Sequence, residues 1–213
     1  GDSSRFFLEV SMKSCFVSPA GASWHNLRMT FTPAFTLRAA ELRDVSAIVE
    51  LIRELADFEH LTHLLQVTSE KLRPHLFGER PAAECLVAET APVADAHASR
   101  SGSVVGFALF FTNFSTFLAQ PGLYLEDLYV KPAMRGQGIG EALLTRLARL
   151  AVERKYGRFE WSVLDWNENA IRFYQRMGAS MMPDWRICRV TGDALQAFGT
   201  GGMAADNVSR LRA

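Results

Sequence analysis

The chain has 213 residues, with 23 lysines plus arginines balanced by 23 aspartates plus glutamates, so it carries no formal net charge at pH 7. That length suits one α/β domain with extensions; the charge balance argues against a nucleic-acid footprint spread over the domain and against a polybasic membrane anchor. No apolar run reaches the length of a membrane span, and three distant cysteines, Cys15, Cys85 and Cys188, suggest neither a disulfide framework nor a metal cluster, which points to a reducing, cytoplasmic setting.

Residues 1–33 show no hydrophobic period and are expected to form a flexible extension; their mildly basic, Ser-rich character is offset by Asp2 and Glu9, so no clean transit peptide is present. Phe35-Thr36-Leu37-Arg38-Ala39 reads as a first strand. Asp44 is placed to cap the helix that follows, whose apolar stripe is Val45, Ile48, Val49, Ile52 and Leu55 and which ends at Phe58-Glu59-His60. A shorter helix follows Thr68. Strands are expected at Glu84–Glu89 and Val104–Phe111, separated by an Ala/Ser/Pro-rich loop from Ala91 to Ser103. Asn113 to Gly122 reads as a mixed loop into a central strand, Leu123 to Val130. His25, His60, His63, His75 and His97 are scattered; the spacing of His60 and His63 is ligand-like, but no Cys or second His pair accompanies them, and no metal is expected.

After the central strand, Pro132 closes a short loop, and a glycine-rich turn at Arg135-Gly136-Gln137-Gly138-Ile139-Gly140 opens a helix with its stripe at Ile139, Leu143, Leu147, Leu150 and Ala151. Backbone N–H groups and the positive end of the helix dipole make such a turn an anion site. The dinucleotide pattern G-x-G-x-x-G fails, because its sixth position from Gly136 is Glu141, and no Walker G-K-[ST] occurs. A strand at Phe159–Leu164, a short helix at Glu168–Met177 capped by Asn167, and a last strand at Trp185–Val190 complete the domain, residues 34–198, before a tail at 199–213. The order is mixed α/β, hairpin strands first and a parallel crossover after.

Two motifs now carry a resemblance. Arg135 to Gly140 resembles the R/Q-x-x-G-x-G/A pyrophosphate motif of the GNAT acetyltransferases, and Asn167-Glu168-Asn169-Ala170-Ile171-Arg172-Phe173-Tyr174-Gln175-Arg176-Met177-Gly178-Ala179 resembles their N-x-x-A-x-x-x-Y-x-x-x-G-F/A segment. Leu37-Arg38-Ala39-Ala40, Ile52-Arg53-Glu54-Leu55-Ala56, Tyr124-Leu125-Glu126-Asp127-Leu128, Val163-Leu164-Asp165-Trp166-Asn167 and Trp185-Arg186 are similar to the diamine and thialysine acetyltransferase branch. The resemblance implies a GNAT fold, a mixed and mostly antiparallel central sheet flanked by helices. It implies acetyl-CoA as co-substrate, a small amine as acceptor and a homodimer. It also implies CoA contacts at Leu128, Tyr129, Val130, Arg135, Gly136, Gln137, Gly138, Ile139, Gly140, Glu141, Asn167, Ala170 and Tyr174.

Acetyl transfer to an amine needs a proton acceptor for the amine, a donor for the leaving thiolate, donors at the thioester oxygen and alignment of both substrates. Glu126 is the candidate acceptor, since adjacent acids inside an apolar strand are costly to bury without a function. In a regular strand Tyr124, Glu126, Leu128 and Val130 share one face and Leu125, Asp127 and Tyr129 the other, so Glu126 and Asp127 reach one site only if a bulge re-aims one of them. Tyr174, which could equally be a core tyrosine, is the thiolate's proton donor by resemblance. Glu59, Glu126, Asp127 and Asp165 are candidate partners of a cationic amine, with Asp57 and Glu168 as further acids that could simply be solvated. The Asn113–Gln120 loop carries no acid, which favours a short amine over spermine. Acetylation of protein lysines or N-termini, and a non-catalytic CoA-binding module, are the competing functions.

Overall fold

The computed structural model describes residues 35–91 and 102–201. The expected flexible extension at 1–33, most of the Ala91–Ser103 loop, the tail beyond 201, and Cys15, His25 and His97 lie outside the described residues.

The elements in order are β1 (Phe35–Ala39), α1 (Val45–Phe58), α2 (Ser69–Phe77), β2 (Glu84–Thr90), β3 (Val104–Ser115), β4 (Gln120–Val130), α3 (Ile139–Glu153), β5 (Arg158–Trp161), α4 (Glu168–Arg176) and α5 (Gly192–Gly199). The strands form one sheet in the order β1-β2-β3-β4-β5, antiparallel except for the last, parallel pair. This is the mixed, mostly antiparallel sheet that the order of elements predicts.

Each face of the sheet has its own core, because strand side chains alternate. Leu86, Ala88, Ala108, Phe110, Leu123 and Leu125 pack on Ile139, Leu143, Leu144 and Leu147 of α3. Cys85, Val87, Phe107, Leu109 and Tyr129 pack on Ile48 and Leu51 of α1 and Leu76 of α2. Helix α3 buries Ile139, Leu143, Leu147 and Ala151 of its predicted stripe together with Leu144, which the stripe left out, while Leu150 is half-buried. Gly106 sits where α3 presses closest: a Cβ there would meet the Tyr129 carbonyl oxygen at 3.0 Å and Ile139 Cγ2 at 3.4 Å.

Three expectations are corrected. Asn113 to Gly122 is a hairpin and not a loop: Asn113 pairs with Gly122 and Ser115 with Gln120, leaving only 116–119 as the turn. Asn113 and Ser115 on the inward face are polar while Phe114 is exposed, and this reversal hides the strand pattern. β5 ends at Trp161, three residues before Leu164. Trp185–Val190 joins no ladder; Trp185, Ile187 and Val190 are exposed, and α5 follows. A strand-like pattern reports a local preference, whereas a strand also needs a free sheet edge beside it.

Asp44 does not cap α1 with its side chain. Its carboxylate accepts from the Glu41 N–H at 2.7 Å and from Arg38 Nη1 and Nη2 at 2.6 and 2.9 Å. Arg38 Nε also donates to Glu89 Oε2 at 2.7 Å, so one guanidinium ties β1, β2 and the start of α1 together. Burial alone would raise the Asp44 carboxyl, but the Arg38 hydrogen bonds, the Glu41 N–H and the Arg38 charge outweigh it and hold the group below the usual aspartate range. Thr68 and Asn167 do cap their helices, accepting from the N–H groups of Lys71 at 3.3 Å and Ala170 at 3.2 Å.

Asp44→Asn is therefore expected to destabilise the protein by about 3 kcal/mol at pH 7, the cost of leaving Arg38 without its buried partner. An acid whose folded pKa is depressed stabilises above its unfolded value and loses that contribution as pH falls through the folded one. Denaturant melts of both proteins should thus converge below pH ~4; a gap that is unchanged at low pH would refute the ion-pair account.

Candidate active site

The site begins with a break in register. Leu109 of β3 pairs with Asp127 of β4, but Phe110 pairs with Leu125, so Glu126 is the extra residue of a β-bulge. The bulge changes which residues share a face. Leu125 points into the α3 core, whereas Tyr129, two residues beyond Asp127, packs in the α1 core. The regular-strand grouping of Leu125 with Asp127 and Tyr129 is thereby corrected. Glu126 is exposed at the bulge, and Asp127 is half-buried on the α1 side.

The sheet opens at the same level. β4 and β5 pair only between Gly122–Leu125 and Arg158–Trp161. From Glu126 to Val130 the outer edge of β4 has no strand beside it. The Lys131 N–H donates to the Val105 carbonyl at 2.9 Å. Strand alternation therefore turns the backbone groups of Val130 and Leu128 toward the open edge, where Val130 O accepts from Arg135 Nε at 2.9 Å.

The glycine turn lies just beyond. Gly136 and Gly138 have φ of +75° and +81°, the left-handed region that glycine adopts most readily, and a Cβ at either would meet nothing within 4 Å. Gly138 is the N-cap of α3 and offers no side chain to its N–H groups, so those of Ile139, Gly140 and Glu141 point outward from the helix start. A Cβ on Gly140 would rest at an ordinary 3.7 Å from the Phe173 ring, which ties the turn to α4. Gln137 is exposed. The Arg135 guanidinium lies 5.1 Å over the Phe58 ring and 5.4 Å over Tyr129, so its side chain joins the turn to the end of α1.

Electrostatics gather the acids and the tyrosine. Burial, then the charges of Glu126 and Glu59, push the Asp127 carboxyl up to about 7. Glu59, at the C-cap of α1, is itself raised by burial. Tyr174 packs against Trp161 edge-to-face at 5.1 Å and against Phe173 at 5.4 Å; burial and then the Glu59 charge push its hydroxyl up to about 12, so it holds its proton at neutral pH. One carboxylate, Glu59, thus acts on both Asp127 and Tyr174. Asp165, Asp57 and Glu168 are exposed, and Glu168 is paired with Arg172 at 2.9 Å. The hairpin tip at 116–119 lies roughly 20 Å along β4 from the bulge, so the lack of an acid there does not bear on the length of the amine.

The sequence reading missed an aromatic group around Glu59. Phe58 and His60 both contact Trp166, with ring centroids at 6.0 and 6.4 Å. It also missed the Tyr129 hydroxyl, which donates to Glu54 Oε2 at 3.2 Å beside the Lys131–Glu54 ion pair. The only sequence signal was the aromatic residue on either side of Glu59 and the Trp next to the Asn167 cap.

Residues 50–179 match the model of the acetyltransferase (GNAT) family. The L-ornithine N5-acetyltransferase of Arabidopsis thaliana is 38% identical over 197 residues, covering 76% of this chain and 86% of its own. The thialysine N-epsilon-acetyltransferase of Mus musculus is 38% identical over 163 residues, covering 75% of this chain and 94% of its own. Among solved structures, an integron cassette protein from the mobile metagenome of V. cholerae superposes with a TM-score of 0.62 at 23% identity, covering 78% of this chain and 98% of its own. A family model over most of the described domain and relatives of this identity and coverage show that the chain belongs to the GNAT acetyltransferases.

Proposed function

We propose that the protein transfers an acetyl group from acetyl-CoA to a small primary amine, a diamine or a lysine- or ornithine-like amino acid, by direct attack. The observation that carries this reading is the coincidence of the open β4 edge with the bulge acids on one side and the partly buried Tyr174 on the other. The names of the relatives, acetyltransferases of ornithine and thialysine, point the same way.

In this reading the N–H groups of Gly138, Ile139, Gly140 and Glu141 hold the pyrophosphate, and Leu128 and Val130 offer backbone groups to the pantetheine arm and the thioester oxygen. Acetyl-CoA supplies an activated acyl carbon. Glu126, exposed at the bulge, takes the ammonium proton directly or through water. As the C–N bond forms and the C–S bond breaks, Tyr174 gives its proton to the departing sulfur, and the second proton that the new amide nitrogen sheds returns to Tyr174 through water. Asp127 and Glu59 hold the cationic amine, with Asp165 further out. Residues 34–198 make up the catalytic domain, with 1–33 and 199–213 as appendages. The exposed Met182, Trp185, Ile187 and Phe198 support a homodimer; sedimentation at a monomer's mass would remove it. A cytoplasmic location fits the free Cys85 and Cys188.

The test is release of free thiol from acetyl-CoA with a panel of amines. Ornithine, thialysine or a short diamine should give a higher kcat/KM than spermine or a histone-tail peptide. Spermine winning would move the assignment to polyamines, the peptide winning to protein acetylation, and tight CoA binding without any turnover to a non-catalytic module.

Tyr174→Phe should still bind CoA and fold, but should turn over ~10²–10⁴-fold more slowly; undiminished kcat would remove it from the proton path.

Asp127 yields a prediction with opposite signs for activity and stability. A carboxyl raised in the folded state favours folding while it is protonated and loses that contribution as pH rises from the unfolded value near 4 to about 7. Asp127→Asn should therefore raise Tm by a few degrees at pH 8 and hardly at pH 4, while it weakens binding of the amine. Glu126→Gln should instead lower kcat most near neutral pH, where the amine is mostly protonated. If Asp127→Asn is the more damaging to kcat, Asp127 and not Glu126 accepts the proton.

A further inference from the structure

Trp166 is the residue of this region that the acetyl-transfer chemistry leaves without a task. It follows β5 in the turn that leads to the Asn167 cap of α4, so it is anchored to the helix that carries Tyr174. Although half exposed, it is not a loose surface side chain. It meets Phe58 at 6.0 Å and lies nearly parallel to the His60 ring at 6.4 Å. His60 has φ of +59°, a backbone conformation uncommon outside glycine, which holds the chain in a sharp bend just after α1. Between the two aromatic residues that Trp166 touches stands Glu59, whose charge reaches both Asp127 and Tyr174. Phe58 is fixed from its other side by the Arg135 guanidinium. An exposed indole, packed against the two residues that flank a partly buried carboxylate, has the composition of a site for an organic cation: the π face and the carboxylate both attract positive charge, and the ring also covers methylenes.

We propose that Trp166, supported by Phe58 and His60 and acting with Glu59, is the specificity-determining residue that receives a second cationic group of the amine, the end of the substrate distant from the nitrogen being acetylated. This rests on the acetyl-transfer reading above and adds to it a residue that selects substrates without touching the reacting atoms. Trp166 then separates amines by charge at the far end: a diamine or the α-ammonium of a diamino acid engages the indole, and a simple alkylamine of the same length does not.

The test is the ratio of kcat/KM for 1,4-diaminobutane to that for butylamine, measured by thiol release from acetyl-CoA with the full chain. The wild type should favour the diamine, and Trp166→Leu, which keeps apolar bulk without a π face, should cut that ratio about tenfold, mainly through the diamine KM. Trp166→Phe should restore most of it. KM for acetyl-CoA should move less than the diamine KM in every variant. Equal losses for both amines, or a larger change in the acetyl-CoA KM, would make Trp166 a structural residue and overturn the proposal. If the wild type turns over neither amine, the acetyl-transfer reading fails by itself, and calorimetric titration of 1,4-diaminobutane into the CoA-saturated wild type and Trp166→Leu decides the proposal: unchanged affinity overturns it, and weakened affinity sustains it. A Trp166→Leu protein that does not fold is replaced by His60→Ala, which loosens the indole from outside and should lower the same ratio; an unaltered ratio overturns the proposal.

Discussion

The bulge at Glu126 is the constraint on which the site depends. With regular pairing, Leu125 and Asp127 would project from the same side of the sheet, and one of the two cores would have to accommodate a carboxylate. The extra residue lets Leu125 stay with α3 while Tyr129 remains packed against the α1 layer. It also leaves Glu126 outside both cores. A bulge strengthens local twist, and β5 leaves β4 at this same level, so the backbone of Leu128 and Val130 is left facing an opening and not a ladder. One inserted residue thus serves the packing of two cores, the exposure of one acid, the partial burial of its neighbour and the opening of the edge to which the proposed function assigns the acyl chain.

The rest of the site is attached to that opening from three directions. The glycine turn brings the start of α3 to one end, and Arg135 links this turn to Val130 and to the Phe58 ring. α4 brings Tyr174, held by Trp161 of the last strand. The end of α1 brings Glu59. These contacts cross elements far apart in the chain, so the geometry of the site is as rigid as the two-layer packing behind it. The Arg38–Asp44–Glu89 network supports this from below by fixing where α1 starts relative to β1 and β2.

The acids illustrate how a site departs from what is best for folding. The Asp127 carboxyl is driven up to about 7 mainly by burial, and then by the repulsion of Glu126 and Glu59. A fold selected only for stability would place apolar residues there. The same repulsion creates a preference for a positively charged guest, and a cationic amine that enters relieves it. Burial, and then the Glu59 charge, raise the Tyr174 hydroxyl, which keeps its proton at neutral pH. Strain here is electrostatic, and it is tolerated because both cores around it are closely packed.

What the sequence alone determined follows from local chemistry. Amphipathic periods located α1 and α3; glycines at the turn announced a backbone that approaches an anion; Asn167 and Thr68 signalled the starts of α4 and α2. Two motifs in the right order established the family resemblance, and the carboxylates at Glu126 and Asp127 were visible as acids out of place in an apolar strand. The tertiary structure decided what depends on neighbours. Whether a bulge exists is set by pairing with β3, and pairing is a property of two strands, so the shared face of Glu126 and Asp127 was open until β3 was in place. Asn113 to Gly122 looked like a loop because its inward residues Asn113 and Ser115 are polar while Phe114 is exposed, and the ladder made it a hairpin. Trp185 to Val190 looked like a strand because its residues prefer one, and it has no ladder to join among the described residues. The aromatic group of Phe58, His60 and Trp166 unites residues from the end of α1 and the turn before α4, which are brought together only when both pack at the opening of the same sheet.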